Sequence, residues 1–574
     1  MKLKTCSNSI NPCTSFFNFT VRKNIGFAAL AAAFALFISP YFLSRTISNS
    51  LEYSKEEFYV ADALFRGVEI AALICGMLFF LLLILINFKY LNSKSSVDFF
   101  GALPLTRNEM FISRFFGTYI CSLLPVTAAY IGLWILSTFK TVQINSTPIL
   151  LPYFYTILCI LAIGFFGMVF MVSCGNLFDA VFSFLAVNAG LIFVFVIIND
   201  ACDLFLMGYS DTSIIIKACP LVAFTEKLYE MFGINPTFTV SDIIKTVIFA
   251  AVFFIVSLKL YKIRKNEKAK EPYAFAYLKY IVIGIAAQVG YVVFGAIFAD
   301  GYNSASLGSV FNAQVIFVGI IGGALFAIIA GAIVNRGFYN LKKAVIPSVA
   351  AVLLVYAIYG LTALDITGYE KRVPKTDDVQ KVTMSVMHNS FPVDDVQQVI
   401  DFHKSVVKNG DADNLYDDSD SKFIAYSVQI DYNLKNGKKL TRSYNLDSFS
   451  AESEMCNKIL TENIGKKYLD ELDKTDNKIF SLGLSRYEND ENYNAFGLSK
   501  EEVRKIITMY SEEFKTVDYI NDRDLFNTNI YIYGDDYKKY TDNFQLSLSL
   551  DDSKSELVQY ILGLPSIEKA EIEK

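Results

Sequence analysis

The sequence predicts a polytopic α-helical membrane protein, with about nine spanning helices followed by a C-terminal extracellular α+β domain. Three observations lead there. The 574-residue chain is 53% hydrophobic, with fifty Phe and one Trp and a mean hydropathy of +0.37, more apolar than a soluble core requires. The apolarity falls in long runs that stop near Asp365, with Lys and Arg gathered in short loops between them. Beyond that point the chain is rich in Asp, Glu, Asn, Lys and Tyr and alternates helical and strand patterns. The net charge is −5, and no basic face with interleaved aromatics points to nucleic acid.

A spanning helix needs about 20 apolar residues to cross a hydrocarbon layer about 30 Å thick. Runs that meet this centre on Asn24–Leu43, Gly67–Ile86, Thr118–Ser137, Tyr153–Ser173, Val181–Ile198, Thr246–Tyr261, Tyr280–Phe298, Val315–Val334 and Ala344–Leu361. The first run follows Arg22 and Lys23 and continues past Pro40 without a small-residue cleavage site, so it reads as a retained span. Basic residues cluster before the first span, between the second and third (Lys89, Lys94, Arg107, Arg114), after the sixth (Tyr261–Lys270) and after the eighth (Asn335–Lys343). These are alternate loops, so a cytoplasmic N-terminus satisfies all four, and an odd number of spans places the residues after Asp365 outside.

The loop between spans two and three holds SSVDFFGALPLTRNEMFISRFFG, Ser95–Gly117. Ser95 or Ser96 can cap a short helix in which Val97, Phe100 and Leu103 recur at three-residue spacing. Pro104 stops it, and Thr106-Arg107-Asn108-Glu109 has the S/T-x-x-E form of a capping box opening a second helix. A short, partly apolar helix on the cytoplasmic face either docks in a groove of a soluble partner or anchors a loop at the interface.

SVDFFGALPLTRNEMFISRFFG resembles the loop after the second span in bacterial ABC type-2 permeases, where a D-x-x-x-x-L-P-x-T-R segment forms the coupling helix. CGNLFDAVFSFLAVN (Cys174–Asn188) is similar to their tight turn between spans four and five. YKIRKNEKAKEPYAF (Tyr261–Phe275) is similar to the basic segment leaving span six, and DITGYEKRVP (Asp365–Pro374) to the start of an extracellular domain in a subgroup of them. The resemblance implies residues 1–23 as a cytoplasmic N-terminus with an amphipathic connecting helix (Thr14–Asn24), and residues 24–262 as a six-helix permease core. Within that core it implies a coupling helix at 95–104 and an external re-entrant segment at 200–242. Residues 263–363 then form three additional spans beyond the usual six, and 364–574 the extracellular domain. Val97, Asp98, Phe100, Leu103, Pro104 and Arg107 would couple to a separate ATPase subunit that holds ATP and Mg. The chain would sit in a bacterial plasma membrane among lipid, as a homo- or heterodimer with a second permease. It would serve as an exporter in antimicrobial-peptide resistance or cell-envelope traffic. The alternative is a sensor or mechanotransmitter whose outer domain moves without any cargo crossing.

The residues themselves argue against chemistry in this chain. G-x-x-x-x-G-K-[ST] is absent, so nucleotide would be held elsewhere. Of the two His, His403 sits in a helix-patterned stretch with no second ligand at metal spacing, and GDADNLYDDSDS (Gly410–Ser421) lacks the central Gly and final Glu of an EF-hand. No catalytic residue and no metal site is predicted. Of the nine Cys, only Cys202 and Cys219, in one external loop, are candidates for a disulfide. Polar groups within spans are the remaining functional candidates, because unpaired charge in lipid is costly: Glu69, Asp179, Asn188 and Gln288. The same residues can equally serve as links between helices.

The outer domain reads as a strand at KVTMSVMH, a helix over Pro392–Lys408, and a hairpin over Phe423–Leu446 turning at Asn436-Gly437. A helix over Ser450–Leu472 and a Ser499-capped helix to Phe514 follow. Strands at NTNIYIYG and FQLSLSLD and a closing helix to Leu562 complete it.

Overall fold

Among the described residues, nine helices are long and apolar enough to cross a membrane. The structure is a computed structural model that describes residues 12–53, 57–138, 150–210, 219–231, 238–299, 313–338, 341–386, 389–409, 425–437, 439–447, 450–475, 479–486, 491–515, 528–534, 545–550 and 555–569. Two units form. The first takes residues up to 199, 219–299 and 313–358; the second takes 200–210 and 359–569. His388 and the acid-rich stretch 410–421 lie outside the described residues.

The long helices are α1 (Pro12–Tyr53), α2 (Glu57–Phe88), α4 (Arg107–Thr138), α5 (Leu150–Ser173), α6 (Leu177–Phe205), α8 (Val240–Ile263), α9 (Ala276–Ala299), α10 (Ala313–Asn335) and α11 (Val345–Ala363). Two short ones, α3 (Lys94–Gly101) and α7 (Pro220–Glu230), stand between them. α1 is continuous, so Thr14–Asn24, expected as a separate connecting helix, forms its first turns; no proline interrupts the chain between Pro12 and Pro40. Of the stretch 200–242 read as re-entrant, residues up to Phe205 continue α6, Pro220–Glu230 form α7 and residues from Val240 open α8.

Lipid supplies no hydrophobic drive between helices, so close packing and internal hydrogen bonds must hold them. Gly164 on α5 lets the Phe80 ring of α2 lie where a Cβ would stand. Phe115 of α4 stacks on Phe165 of α5 at 4.3 Å with planes 8° apart. A buried polar chain ties three helices: Asn24 Nδ2 donates to Asn87 Oδ1 at 3.1 Å, and Asn87 Nδ2 to Thr118 Oγ1 at 3.2 Å.

The second unit holds two antiparallel sheets. Strands β1 (Val379–Val386), β2 (Asn389–Val393), β3 (Ala425–Leu434) and β4 (Lys439–Asp447) pair in the order β2-β1-β3-β4, with α12 (Val396–Asn409) after β2 and α13 (Ala451–Lys474) after β4. Strands β5 (Ile479–Arg486), β6 (Glu491–Ser499), β7 (Thr528–Gly534) and β8 (Gln545–Leu550) repeat that order as β6-β5-β7-β8. There α14 (Lys500–Phe514) follows β6, α15 (Glu556–Leu562) follows β8, and β9 (Ile567–Lys569) is added on β6. The unit is a tandem ββαββα repeat. The registers correspond as well: Met384 faces Ile430 and Val382 faces Tyr432 in the first sheet, Leu484 faces Ile530 and Leu482 faces Ile532 in the second.

The expected helix over Pro392–Lys408 begins only at Val396, where Asp395 Oδ1 accepts from the amides of Gln397 and Gln398. Pro392 belongs to β2, an edge strand, where a missing N–H breaks no ladder on the open side. Cys202 and Cys219 are both free thiols.

Candidate functional site

The loop between α2 and α4 is built as anticipated in outline and differs in which side chains it offers. α3 starts at Lys94, with Ser93 rather than Ser95 or Ser96 at the cap position, where the Ser93 carbonyl accepts from Val97 N at 2.9 Å. It ends when Ala102 N reaches back to Asp98 O at 3.1 Å, and the chain turns through Leu103–Leu105. The capping box then opens α4: Thr106 N and Oγ1 both donate to Glu109 Oε2 at 2.8 Å, and Glu109 N donates to Thr106 Oγ1 at 3.3 Å.

Of the six residues expected to couple, Val97 is buried and Leu103 packs half-buried on the helical core. Phe100 also turns inward: its ring lies 4.7 Å from that of Tyr90, and the Arg114 guanidinium sits 4.4 Å over it. Asp98 and Pro104 are exposed. Phe99, which three-residue spacing from Val97 passes over, is the aromatic left outside, 65% exposed. Periodicity gave no signal for it, because which face of α3 turns inward is set by Tyr90, Phe16 and Arg114 from elsewhere in the chain.

Arg107 is also held within the chain. Its Nη1 donates to the carbonyls of Lys262 (2.8 Å) and Arg264 (2.7 Å), and its Nη2 to Asn266 Oδ1 (3.2 Å). These carbonyls close the C-terminal end of α8, where acceptors lack helical donors and the dipole favours a cation. Arg264 does the same one layer deeper. Buried, it donates through Nη1 to Met171 O (3.2 Å) and Val172 O (2.7 Å) at the end of α5, and through Nη2 to Leu91 O (2.7 Å). Burial draws its pKa down to about 10, which leaves it a cation at neutral pH. Arg114 completes the set, its guanidinium over the rings of Phe16, Tyr90 and Phe100. Tyr90 and Tyr261 join their hydroxyls across the same layer.

The segment after α8 is tied in turn to the turn between α5 and α6. Lys270 N donates to Gly175 O at 2.9 Å, and Ala274 N to Ser173 O at 2.8 Å. Ser183 Oγ and Tyr273 OH bond at 2.9 Å. Three stretches singled out separately in the sequence therefore form one hydrogen-bonded platform on which α3 rests.

The intramembrane polar candidates each have separate surroundings. Glu69 is buried within electrostatic reach of Tyr130. Asp179 is buried and pairs with Arg336 at 3.4 Å. Asn188 donates to its own helix at Phe184 O (2.7 Å) and accepts from Cys219 Sγ (3.3 Å). Gln288 is buried on α9.

In the second unit, His403 is fully buried between two tyrosines: Nδ1 lies 3.0 Å from Tyr432 OH and Nε2 2.7 Å from Tyr444 OH. Burial first, and the Arg442 charge second, pull its pKa down to about 3, so the ring is neutral, with one nitrogen donating and the other accepting. Arg442 is itself buried, 3.6 Å over the Tyr369 ring, and donates to Tyr369 O at 2.7 Å. This cluster welds α12 to β3 and β4. No protein-family model, curated protein or solved structure matches the chain.

Proposed function

We propose that this chain is the membrane-spanning permease subunit of an ATP-driven transporter of the ABC type-2 kind. On this reading a separate ATPase carrying ATP and Mg docks on α3 from the cytoplasm of a bacterial cell. A second permease, identical or not, completes the pathway, and the cargo is an antimicrobial peptide or a component of envelope traffic moving outward. The observation that carries the reading is the pose of α3: an exposed Phe99 on a short helix whose other face is locked, through Arg107, Arg264 and Arg114, to α1, α2, α4, α5 and α8. A push on Phe99 would reach the ends of five helices without being absorbed by a soft loop. The test is to purify the tagged chain from its native membrane, identify any P-loop ATPase that copurifies and measure ATP turnover with and without Phe99→Asp. Loss of the ATPase in the variant is expected; retention at the wild-type level would sink the coupling assignment.

A second reading, the mechanotransmitter, draws on a different observation. α6 and α11 both run on into the second unit, where Tyr359 bonds Asp200, and Met207 N donates to Glu370 Oε1 at 3.2 Å. Four spanning helices lie between those two ends, which supports placing both on one face, the outer one. On this reading, displacement of these two helix ends is what moves the second unit. Peptide-stimulated ATP turnover with no cargo accumulating in sealed vesicles would favour this reading over export.

A further inference from the structure

The three helices beyond the six-helix core form a half-open cavity of about 430 Å³, within the range of small-molecule sites. Its origin is visible in the packing. α9 and α10 approach so closely that a Cβ on Gly322 would run into Gly290 O and the Phe294 ring. Where α11 passes this pair, α10 lines the space with Gly323, Ala324 and Ala327 flanked by Ile320 and Ile328, and α9 with Ala287; the small residues leave the space toward Val352 and Tyr356 unfilled. The two hydroxyls in the lining are already engaged: Ser348 Oγ donates to Ala344 O at 2.7 Å, and Tyr356 OH bonds Tyr291 OH. A cavity of this composition offers water too few partners and takes hydrocarbon instead.

One end of the cavity has a charge to match. Ala344 and Val345 line it, and the residues immediately before them are Lys342 and Lys343, both exposed. Lys343 lies within electrostatic reach of Lys279 on α9, which in turn bonds Asn335 at the end of α10. Neither Ala276–Ala299 nor Ala313–Tyr356 contains a single Asp or Glu, so these lysines have no carboxylate on their own helices. An apolar slot inside candidate spanning helices, with two exposed lysines directly preceding the residues that line one end of it, has the chemistry of an amphiphile with an anionic head.

We propose that the cleft between α9, α10 and α11 is a binding site for an anionic phospholipid, with an acyl chain in the cavity and the phosphate at Lys342 and Lys343. The site is independent of any ATPase, so it stands or falls separately from the transport reading.

The test uses the full-length chain in mixed phosphatidylglycerol and phosphatidylcholine, with lipids retained after detergent extraction counted by native mass spectrometry. The wild type should retain phosphatidylglycerol over phosphatidylcholine by roughly tenfold or more, two lysines near the headgroup being enough for that. Ala324→Phe, which fills the cavity from a position open to it, should lose the retained lipid of either kind. The double variant Lys342→Gln/Lys343→Gln touches no packing and should keep a lipid while its headgroup preference falls toward unity. Equal retention of the two lipids by the wild type, undiminished retention in A324F, or an unchanged preference in the lysine variant would each overturn the proposal.

Discussion

Phe99 and Phe100 are neighbours on α3 whose rings meet edge to face at 5.4 Å, yet one is exposed and the other is wedged against Tyr90 beneath Arg114. The pair therefore separates two effects that a single substitution would confound. Phe99→Asp should leave thermal unfolding unchanged and, on the transporter reading proposed above, reduce capture of the ATPase by roughly tenfold or more, the usual cost of losing an aromatic anchor. Phe100→Ala should instead lower stability by about 2 kcal/mol, below the roughly 3–5 kcal/mol of a fully buried aromatic because the ring is only half-buried. Pull-down and a melting curve on both variants decide the matter. Normal capture by the first variant, with loss in the second at unchanged stability, would reverse the roles of the two rings.

Arg264 makes three charge-assisted bonds to backbone carbonyls from α5 and the α2–α3 connection. Removing it strands those acceptors in a buried layer, where an unmet polar group costs about 1–3 kcal/mol. Arg264→Met keeps the stem and should destabilise the purified chain by about 2–4 kcal/mol. Arg264→Lys should not restore it, because one ammonium cannot reproduce the guanidinium fork. Melting temperatures in a single detergent measure both, and a fully rescued lysine variant would show that charge alone holds this layer.

Much of the platform was legible in local chemistry. Thr106 and Glu109 announce their capping box by spacing alone, Ser499 announces the cap of its helix, and Asn436-Gly437 marks its hairpin turn because Gly437 adopts φ +78° at no steric cost. Periodicity also grouped Val97, Phe100 and Leu103 correctly as one face. It could not say that this face turns inward, because that depends on Tyr90, Phe16 and Arg114 arriving from other helices. Arg107 and Arg264 looked like loop cations for the same reason: their acceptors are carbonyls that sequence does not display. The tandem repeat was hidden because its two halves share order and register while differing in residues; the position of Tyr432 in the first sheet is taken by Ile532 in the second.

His403 ties the stability of the second unit to pH. Its folded-state pKa of about 3 lies below the ordinary histidine value, so the unfolded chain binds the proton more readily. The stabilisation is complete above about pH 6.5 and is lost as pH falls from there toward 3, at no more than about 1.4 kcal/mol per pH unit. Hydrogen exchange of the α12 amides in the full chain should therefore accelerate between pH 6 and 4, after correction for the intrinsic rate. His403→Leu should flatten that dependence, even if the loss of the two tyrosine partners lowers stability at neutral pH. A flat corrected profile in the wild type would mean that the ring takes up its proton without disturbing Tyr432 and Tyr444.

Gly208 follows the end of α6 at φ +75°, and its carbonyl accepts from Ser443 N at 3.2 Å, which fixes this stretch along β4. A Cβ there would strike the Tyr444 ring, the same ring that holds His403. Gly437, at φ +78°, has nothing within reach of a Cβ, so Gly437→Ala isolates the backbone strain alone, about 1–2 kcal/mol. Gly208→Ala should cost more than this control, and the excess reports the contact with β4. It should also raise exchange of the Ser443 amide by roughly tenfold, as that bond opens locally. Equal losses in the two alanine variants, with Ser443 still protected in both, would show that the stretch after α6 adapts to the added methyl without leaving β4.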